Sequence, residues 1–250
     1  APGRRGLNSF LSATHHAALA QAEGARAIKS LLPESTVGTT FSSSHVEPLN
    51  TSERNVLAAK RADALLNRLF VEPLLGMGYP TDEIKTLRKI EKFMLPEDEN
   101  KLKFDMDFVG VQNYTREIVE HSYFIPYLRT KLVTATQRKV PVTTMNWEVY
   151  PESIYHILKK FAAYPNMPPI MITESGASFP DEVVDGQVSD AQRTTYLQDV
   201  LAQMHRAKSE GVDLRGYFIW TFLDNFEWAE GYHPRFGLVH VDFETQQRII

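Results

Sequence analysis

Apolar positions recur at spacings of three, four or seven over residues 9–32, where Leu11, Ala18, Ala22, Ala25 and Ile28 share a face. That pattern predicts a long amphipathic helix, with Asn8 or Ser9 as its cap. A short β-type segment follows at 37–41. A second long helix fits 53–70, opened by Ser52 and carrying Val56, Ala59, Ala62, Leu65, Leu66 and Leu69. Pro73 and the Gly76-Met77-Gly78-Tyr79-Pro80 stretch end it. Residues 80–104 are charged and mixed, and read as a short helix and loops on the surface. Asp107-Phe108-Val109-Gly110-Val111 is a brief apolar run of the buried-strand kind. No helical period runs through 115–146, and 131–142 alternates as a hairpin in an extended loop would. Pro151 suits the first position of a helix reaching Phe161. Residues 169–173 form another buried-type strand. Ser189 or Asp190 caps a helix to Glu210, Gly211 supplies a left-handed stop, and 216–222 is the last strong strand.

Four apolar strands with helices between them imply parallel βα units. Parallel sheets bury both faces, which accounts for strands that are apolar runs rather than alternating ones. Four strands cannot close a barrel, which takes eight. A free-standing four-stranded α/β sheet and half of a (β/α)8 barrel both remain open, and the two ends favour the half-barrel. Ala1-Pro2-Gly3-Arg4-Arg5 has neither an initiator Met nor a signal-peptide pattern, and Gln246-Gln247-Arg248-Ile249-Ile250 stops without a cap or polar tail. Both read as cuts through a longer chain; processing at one end and a natural terminus at the other is the second reading. No internal repeat or low-complexity linker marks a domain boundary.

Composition narrows the function. The net charge of −4 over 250 residues provides no basic field, so neither nucleic acid nor an anionic lipid surface is expected as a partner. The absence of cysteine removes disulfides, zinc-thiolate sites, iron–sulfur clusters and cysteine nucleophiles together. No apolar run is long enough to predict a membrane span. A globular enzyme is expected, and nothing assigns it to a compartment.

In either architecture, chemistry belongs at the carboxyl ends of the strands. Those ends carry Gln112-Asn113-Tyr114-Thr115, then Glu174-Ser175-Gly176, then the stretch from Trp220 to Trp228. A carboxylate closing an apolar strand is costly to bury without a partner or a task, which singles out Glu174 over a purely structural ion pair. Trp220, Asp224, Asn225, Glu227 and Trp228 combine flat indoles with hydrogen-bonding oxygens, a set suited to a polyhydroxylated ligand. Tryptophans that simply plug a barrel mouth are the alternative. Other site types fall away, since no Gly-x-Ser-x-Gly, P-loop or Gly-x-Gly-x-x-Gly occurs. His15-His16 has no second ligand at i+4 and reads as helix packing or surface. His45, with Glu47, reads as part of a solvated loop, though it could line a pocket. His121 and Tyr123 have no identifiable partners. Asn50-Thr51-Ser52 fits the glycosylation pattern but reads as a turn and helix cap.

These residues resemble glycoside hydrolase family 1, the β-glucosidases and their relatives. Ala1-Pro2-Gly3 resembles the segment after that family's acid/base motif, and Asp107 through Thr115 resembles its strand-six motif. Trp147-Glu148-Val149-Tyr150-Pro151 resembles the aglycone-side loop, and Ile172-Thr173-Glu174-Ser175-Gly176 the nucleophile motif. The match is most specific over 216–237, which contains Asp224-Asn225-Phe226-Glu227-Trp228-Ala229-Glu230-Gly231-Tyr232. The resemblance implies an α/β fold, a (β/α)8 TIM barrel, of which residues 1–250 would be the carboxyl-terminal part of one catalytic domain, roughly strands five to eight, truncated at both ends. It makes Glu174 the nucleophile of a retaining β-glycosidase and Tyr114 the donor that holds its carboxylate. Gln112 stands where the family usually has Asn beside the sugar. Trp220 would floor the glycone pocket, Glu227 would bind outer hydroxyls, Trp228 would add an indole N–H, Phe236 would close the wall, and Trp147 would stack the aglycone. No cofactor or metal is implied. The partners are a small-molecule neutral β-glycoside and the missing amino-terminal half-barrel. Glu227 disfavours phosphorylated sugars, because its charge would repel a phosphate.

Two departures stand out. Ser175 replaces the usual Asn of the nucleophile motif, and Gln112-Asn113-Tyr114 replaces Asn-Tyr-Tyr. Both keep hydrogen-bonding capacity, so altered tuning is expected. Retaining hydrolysis needs a second carboxyl about 5 Å from the nucleophile. The family's Asn-Glu-Pro acid/base motif does not occur in this sequence, nor do the Gln and His of the first half of the glycone site, and the helix expected after 239–243 is cut short. The isolated chain should therefore be inert or nearly so, and sticky at the open edges of strands five and eight. Two competing readings remain: a non-catalytic sugar-binding relative, and a thioglycosidase or transglycosylase.

Overall fold

A computed structural model describes residues 3–249; Ala1, Pro2 and Ile250, with the part of the motif match and of the two chain ends that falls on them, lie outside the described residues. In chain order the elements are α1 (Leu7–Leu31), β1 (Gly38–Ser42), β2 (His45–Pro48), α2 (Glu53–Asp63), α3 (Leu69–Leu74), α4 (Asp98–Leu102), β3 (Phe108–Gln112), β4 (Arg116–His121), β5 (Thr130–Leu132) and α5 (Ala135–Arg138). They continue with α6 (Glu152–Ala162), β6 (Ile170–Ser175), β7 (Val183–Val184), β8 (Gln187–Val188), α7 (Ala191–Ser209), β9 (Leu214–Ile219), β10 (His240–Val241) and β11 (Arg248–Ile249).

The organising unit is a four-stranded parallel sheet in the order β1-β3-β6-β9. The order follows the sequence without reversal. Right-handed crossovers then deliver every intervening helix to the same face, as in a barrel wall and unlike a doubly wound sheet. Register places Phe41 beside Val111 and Val111 beside Ile172, and, one pleat along, Val109 beside Ile170 and Ile170 beside Leu214, so these side chains form two rows of one apolar face. They bury against Ile154, Ile157, Leu158 and Phe161 of α6 and Tyr196, Val200 and Met204 of α7. Each fully buried Ile or Leu here contributes about 1.5–3 kcal/mol, which makes this face the main source of stability. The opposite face is open among the described residues: Phe218 and, just beyond the strand, Phe222 are 58% and 67% exposed. The expectation that both faces are buried is thus corrected, because only one face receives helices.

Several boundaries move. Helix α1 begins at Leu7 with Gly6 as its cap and no side-chain cap bond, leaving Asn8 and Ser9 inside the first turn. The second helix does not stop at residue 70: α2 passes through a π-helical turn at Ala64–Arg68 into α3 and ends at Leu74. Pro73 sits next to that last residue; it cannot donate to the Leu69 carbonyl, and the helix ends one residue later. The 80–104 segment is not merely surface, since Ile84, Leu87 and Ile90 are buried with Leu11, Ala64 and Leu69 in a second core. Their spacing of three is the period of the 3₁₀ helix found at Lys85–Phe93, and it keeps them on one side. The hairpin lies between β4 and β5, not within 131–142, and β4 also pairs with β2 in a separate three-stranded sheet. Residues 135–138 are helical because Thr134 and Gln137 form a capping box, which the alternation had masked. Helix α6 starts one residue after Pro151, and α7 ends where Gly211 takes φ +95°. Strand β9 begins and ends earlier than 216–222, so Trp220 leads a loop whose first peptide, Trp220–Thr221, is cis. Among the described residues, no helix is long and apolar enough to cross a membrane.

Candidate active site at the carboxyl ends of the strands

Glu174 is the penultimate residue of β6, and both its carboxylate oxygens are held. Gln112 Nε2, at the end of β3, donates to Oε1 at 2.8 Å. The Tyr114 hydroxyl donates to Oε2 at 2.7 Å. Burial, then the hydrogen bond to Glu174, then the charges of Glu174 and Glu227 push the Tyr114 phenol far above its ordinary range, so it remains a donor at any working pH. The β3–β6 register explains the reach. Pairing runs from Val111↔Ile172 directly to Gln112↔Glu174, so Thr173 is an extra residue that turns Glu174 toward its donors.

The backbone around this carboxylate is pinned from both sides. Asn113 N donates to the Glu174 carbonyl at 3.0 Å, and Trp220 N to the Ser175 carbonyl at 2.9 Å. Asn113 is buried and points away from Glu174, its Nδ2 donating to the Ser43 carbonyl at 2.9 Å. Gly176 is required by a close approach: a Cβ there would lie 1.9 Å from the Trp220 carbonyl oxygen. Ser175, the departure in the nucleophile motif, is 1% exposed and belongs to the core rather than the open site.

The Trp220–Trp228 loop supplies the second half of the site. Trp220 Nε1 donates to Glu227 Oε1 at 3.0 Å, which orients the indole, and Glu227 Oε2 has no hydrogen-bond partner among the described residues. Phe236 is 2% exposed and packs behind the site, 6.2 Å from the Tyr114 ring and 6.1 Å from the Trp147 ring. Trp147 and Tyr114 are 5.3 Å apart centre to centre. Gln112, Tyr114, Glu174, Trp147 and Phe236 are thus brought into one contiguous cluster, and Trp220 and Glu227 form a pair tied to it through the Ser175 backbone. Trp228 stands apart: it is 81% exposed.

What holds the loop was not legible in the sequence. Asp224 is buried and accepts from Gly237 N at 2.9 Å, Val241 N at 3.1 Å and Arg235 Nη1 at 2.9 Å. Arg193 of α7, also buried, donates to Asp181 Oδ1 at 3.0 Å and to the Arg235 carbonyl at 2.8 Å. Arg193 therefore joins the loop after β6 to the loop after β9. Asp224 was visible as a carboxylate after an apolar strand; Arg193 gave no signal beyond its place in the first turn of a helix. Asp181, Asp224 and His240 bring ligand atoms within 4.8 Å of one another, the one such trio among the described residues. Arg193 and Arg235 already neutralise both of its carboxylates, so the chemistry is that of a clasp rather than a metal centre.

The other histidines resolve into structure. His15 is buried between the Tyr79 hydroxyl and Asp98, each at 2.9 Å. His45 opens β2 rather than a solvated loop, pairs with Glu47 at 2.9 Å and stacks on His156 at 4.3 Å. His121 and Tyr123 are edge-to-face partners of each other. Asn50 Oδ1 accepts from Ser52 N, the turn that starts α2. An apolar groove of about 280 Å³ runs between α1 and the free β1 edge, lined by Ala22, Ile28, Val37, Leu74, Phe104 and Met106, and contains none of the site residues.

Comparison with known proteins identifies the family and the fold. The family model described as glycosyl hydrolase family 1 matches residues 1–250. Beta-glucosidase A of Thermotoga maritima is 37% identical over 252 residues, covering 100% of this chain and 56% of the relative. Beta-glucosidase A of Acetivibrio thermocellus is 34% identical over 259 residues, covering 100% and 56%. Among solved structures, the family 1 β-glucosidase from Thermotoga maritima superposes with a TM-score of 0.93 at 35% identity, covering 100% of this chain and 56% of that one. The Thermotoga maritima β-glucosidase in complex with deoxynojirimycin gives 0.92 at 35% identity, with the same coverage. The chain therefore spans a little over half the length of the relatives it matches. These neighbours are TIM barrels, so the four-stranded sheet is part of a (β/α)8 wall.

Proposed function

The chain belongs to glycosyl hydrolase family 1, and from that premise we propose that it supplies strands five to eight and the nucleophile of a retaining β-glycosidase acting on neutral β-glucosides or related sugars. One observation carries the reading: a strand-end carboxylate, Glu174, held on both oxygens by neutral donors, Gln112 and Tyr114. Two such donors aim the carboxylate without adding a counter-charge that would blunt its nucleophilicity.

In this reading one Glu174 oxygen attacks the anomeric carbon. The carbon–oxygen bond to the leaving group breaks as the glycosyl ester forms, and water then releases the sugar. Trp220 presents a flat apolar face to the sugar. Glu227, with one oxygen fixed by the indole, offers the other to hydroxyls and repels a phosphate. Trp147, beside Tyr114, would stack the leaving group, a role its nearness to the Glu174 donor supports. Trp228 and Phe236 complete the set as an exposed indole at the rim and a buried wall. The acid/base carboxyl, and the rest of the glycone pocket, would come from an amino-terminal half-barrel completing a single catalytic domain. No step assigned to this chain's residues calls for a cofactor.

The test uses the chain co-expressed with the amino-terminal half of the Thermotoga maritima relative. The probe is 2,4-dinitrophenyl 2-deoxy-2-fluoro-β-glucoside, whose activated leaving group needs little acid assistance. A stoichiometric burst of dinitrophenolate is expected, with the sugar mass on the peptide containing Glu174, and none in Glu174→Gln. A soluble, folded complex that takes up no label would overturn the nucleophile assignment.

A further inference from the structure

Resting on the glycosidase reading of the site, we propose that Arg116 and Arg138, acting through the buried carboxylate of Glu148, are positioning residues for Trp147 and so set how well the enzyme takes an aromatic leaving group. No step at Glu174 uses these charges.

The connection runs through a short stretch of backbone. Val142 and Glu148 form an antiparallel bridge, so the chain is extended at Glu148. Successive side chains of an extended chain point to opposite sides, and whatever fixes Glu148 on one side aims Trp147 on the other. On the Trp147 side lie the Tyr114 ring at 5.3 Å and the Phe236 ring at 6.1 Å, centre to centre. On the Glu148 side, Arg116 grips the carboxylate with two bonds, Nε to Oε2 and Nη2 to Oε1, each at 2.9 Å. Arg138 Nη2 adds a third, to Oε2 at 2.6 Å. The backbone is tied as well: Thr115 Oγ1 donates to the Glu148 carbonyl at 2.9 Å, and Thr143 N to the Trp147 carbonyl at 2.8 Å.

The two arginines arrive from separate elements, β4 and the end of α5. Arg116 is itself set by stacking on Tyr150 at 3.6 Å and by Glu47 of β2 at 3.1 Å. Glu148 is 5% exposed, and burying an ion pair costs about as much hydration as the attraction returns, so apolar side chains would hold the fold about as well. What the charged trio adds is a single geometry: a bidentate fork admits one carboxylate orientation, whereas packed methyl groups admit several. Burial raises the Glu148 carboxylate, but both guanidiniums outweigh it and bring the pKa down to about 2, so the clamp holds throughout the working range of pH rather than switching.

The test compares two leaving groups in the co-expressed complex. 4-Nitrophenyl β-glucoside has a ring for Trp147 to stack on; β-glucosyl fluoride has none. Arg138→Met removes one of the three bonds and should lower kcat/KM for the aryl glucoside about three- to tenfold, the range for one aromatic pair, while changing that for the fluoride by less than about twofold. Arg138→Lys, which keeps a charged donor, should retain most of the aryl rate. Combined with Trp147→Ala, Arg138→Met should cost the aryl glucoside nothing further, because its effect passes through that ring. Equal losses on both substrates, an unchanged aryl rate, or losses that multiply in the double variant each overturn the proposal. A second measurement needs no turnover. In the complex grown on 5-fluorotryptophan, with signals assigned from Trp147→Phe, Trp220→Phe and Trp228→Phe, Arg138→Met should shift or broaden the Trp147 resonance and leave those of Trp220 and Trp228 in place. A Trp147 resonance indifferent to Arg138→Met overturns the proposal even in an active complex. A parent complex that hydrolyses neither substrate counts against the glycosidase reading instead, with the fluorine spectrum still deciding whether Arg138 positions Trp147.

Discussion

At the residue scale the site is a division of labour among short hydrogen bonds. Glu174 is served by neutral donors, and Glu227 is served by an indole that occupies one oxygen and frees the other. The second arrangement makes a sharp prediction. Glu227→Gln can still accept from Trp220 Nε1 but loses the charge-assisted acceptor for sugar hydroxyls. In the completed enzyme it should lower kcat/KM for an aryl β-glucoside by about ten- to a hundredfold, with thermal stability nearly unchanged, as steady-state kinetics and a melting curve would report. Glu174, Tyr114, Trp220 and Glu227 could be picked out of the sequence because strand ends and a dense aromatic–carboxylate stretch mark them. The two-handed grip on Glu174 could not, because it depends on one extra residue in β6, and a bulge leaves no trace in a hydropathy pattern.

At the element scale, ion pairs and stacked rings fasten the peripheral segments to the sheet. Glu148 is a clear case. Its burial would raise its pKa, but hydrogen bonds and charge from Arg116 and Arg138 prevail and bring it down to about 2. Its contribution to stability is present above the ordinary carboxylate value of 4.5 and is lost as pH falls toward 2. His45 acts at higher pH. Burial, and then the neighbouring His156, push it from 6.5 down to about 4 against the pull of Glu47. The unfolded chain takes up this proton near 6.5 while the folded protein refuses it until about 4, so the stability held by neutral His45 is complete above 6.5 and lost across that interval. The urea midpoint should therefore fall as pH is lowered from 7 to 4.5, and His45→Phe should flatten the dependence over that window. An unchanged slope in the variant would remove His45 from the account. These contacts join β2, β4 and α6, elements whose adjacency no local pattern announces. The 3₁₀ segment teaches the same lesson: Ile84, Leu87 and Ile90 looked like a mixed surface stretch because their period is three rather than 3.6.

At the scale of the whole molecule, the parallel sheet has helices on one face and exposed Phe218 and Phe222 on the other side, and among the described residues the outer edges of β1 and β9 have no neighbouring strand in the sheet. Apolar surface and unpaired strand edges of this kind drive association. The 250-residue chain alone should turn over no 4-nitrophenyl β-glucoside and should show concentration-dependent association by light scattering. A monomeric, cooperatively folding chain that hydrolyses the glucoside would sink that prediction. The sequence by itself determined the strand–helix alternation, the apolar residues that face α6 and α7, and the identity of the carboxylates and indoles at the strand ends. Each of these is written in residue type and short-range spacing, which local hydropathy and turn chemistry read directly. Only the tertiary structure decided that α3, α6 and α7 pack on one face of the sheet, that Gln112 reaches Glu174, that Arg193 and Asp224 clasp two loops, and that β4 and β5 make the hairpin. Those outcomes rest on register, on a bulge, and on partners dozens of residues apart, and contacts between distant residues are set by packing rather than by any pattern along the chain.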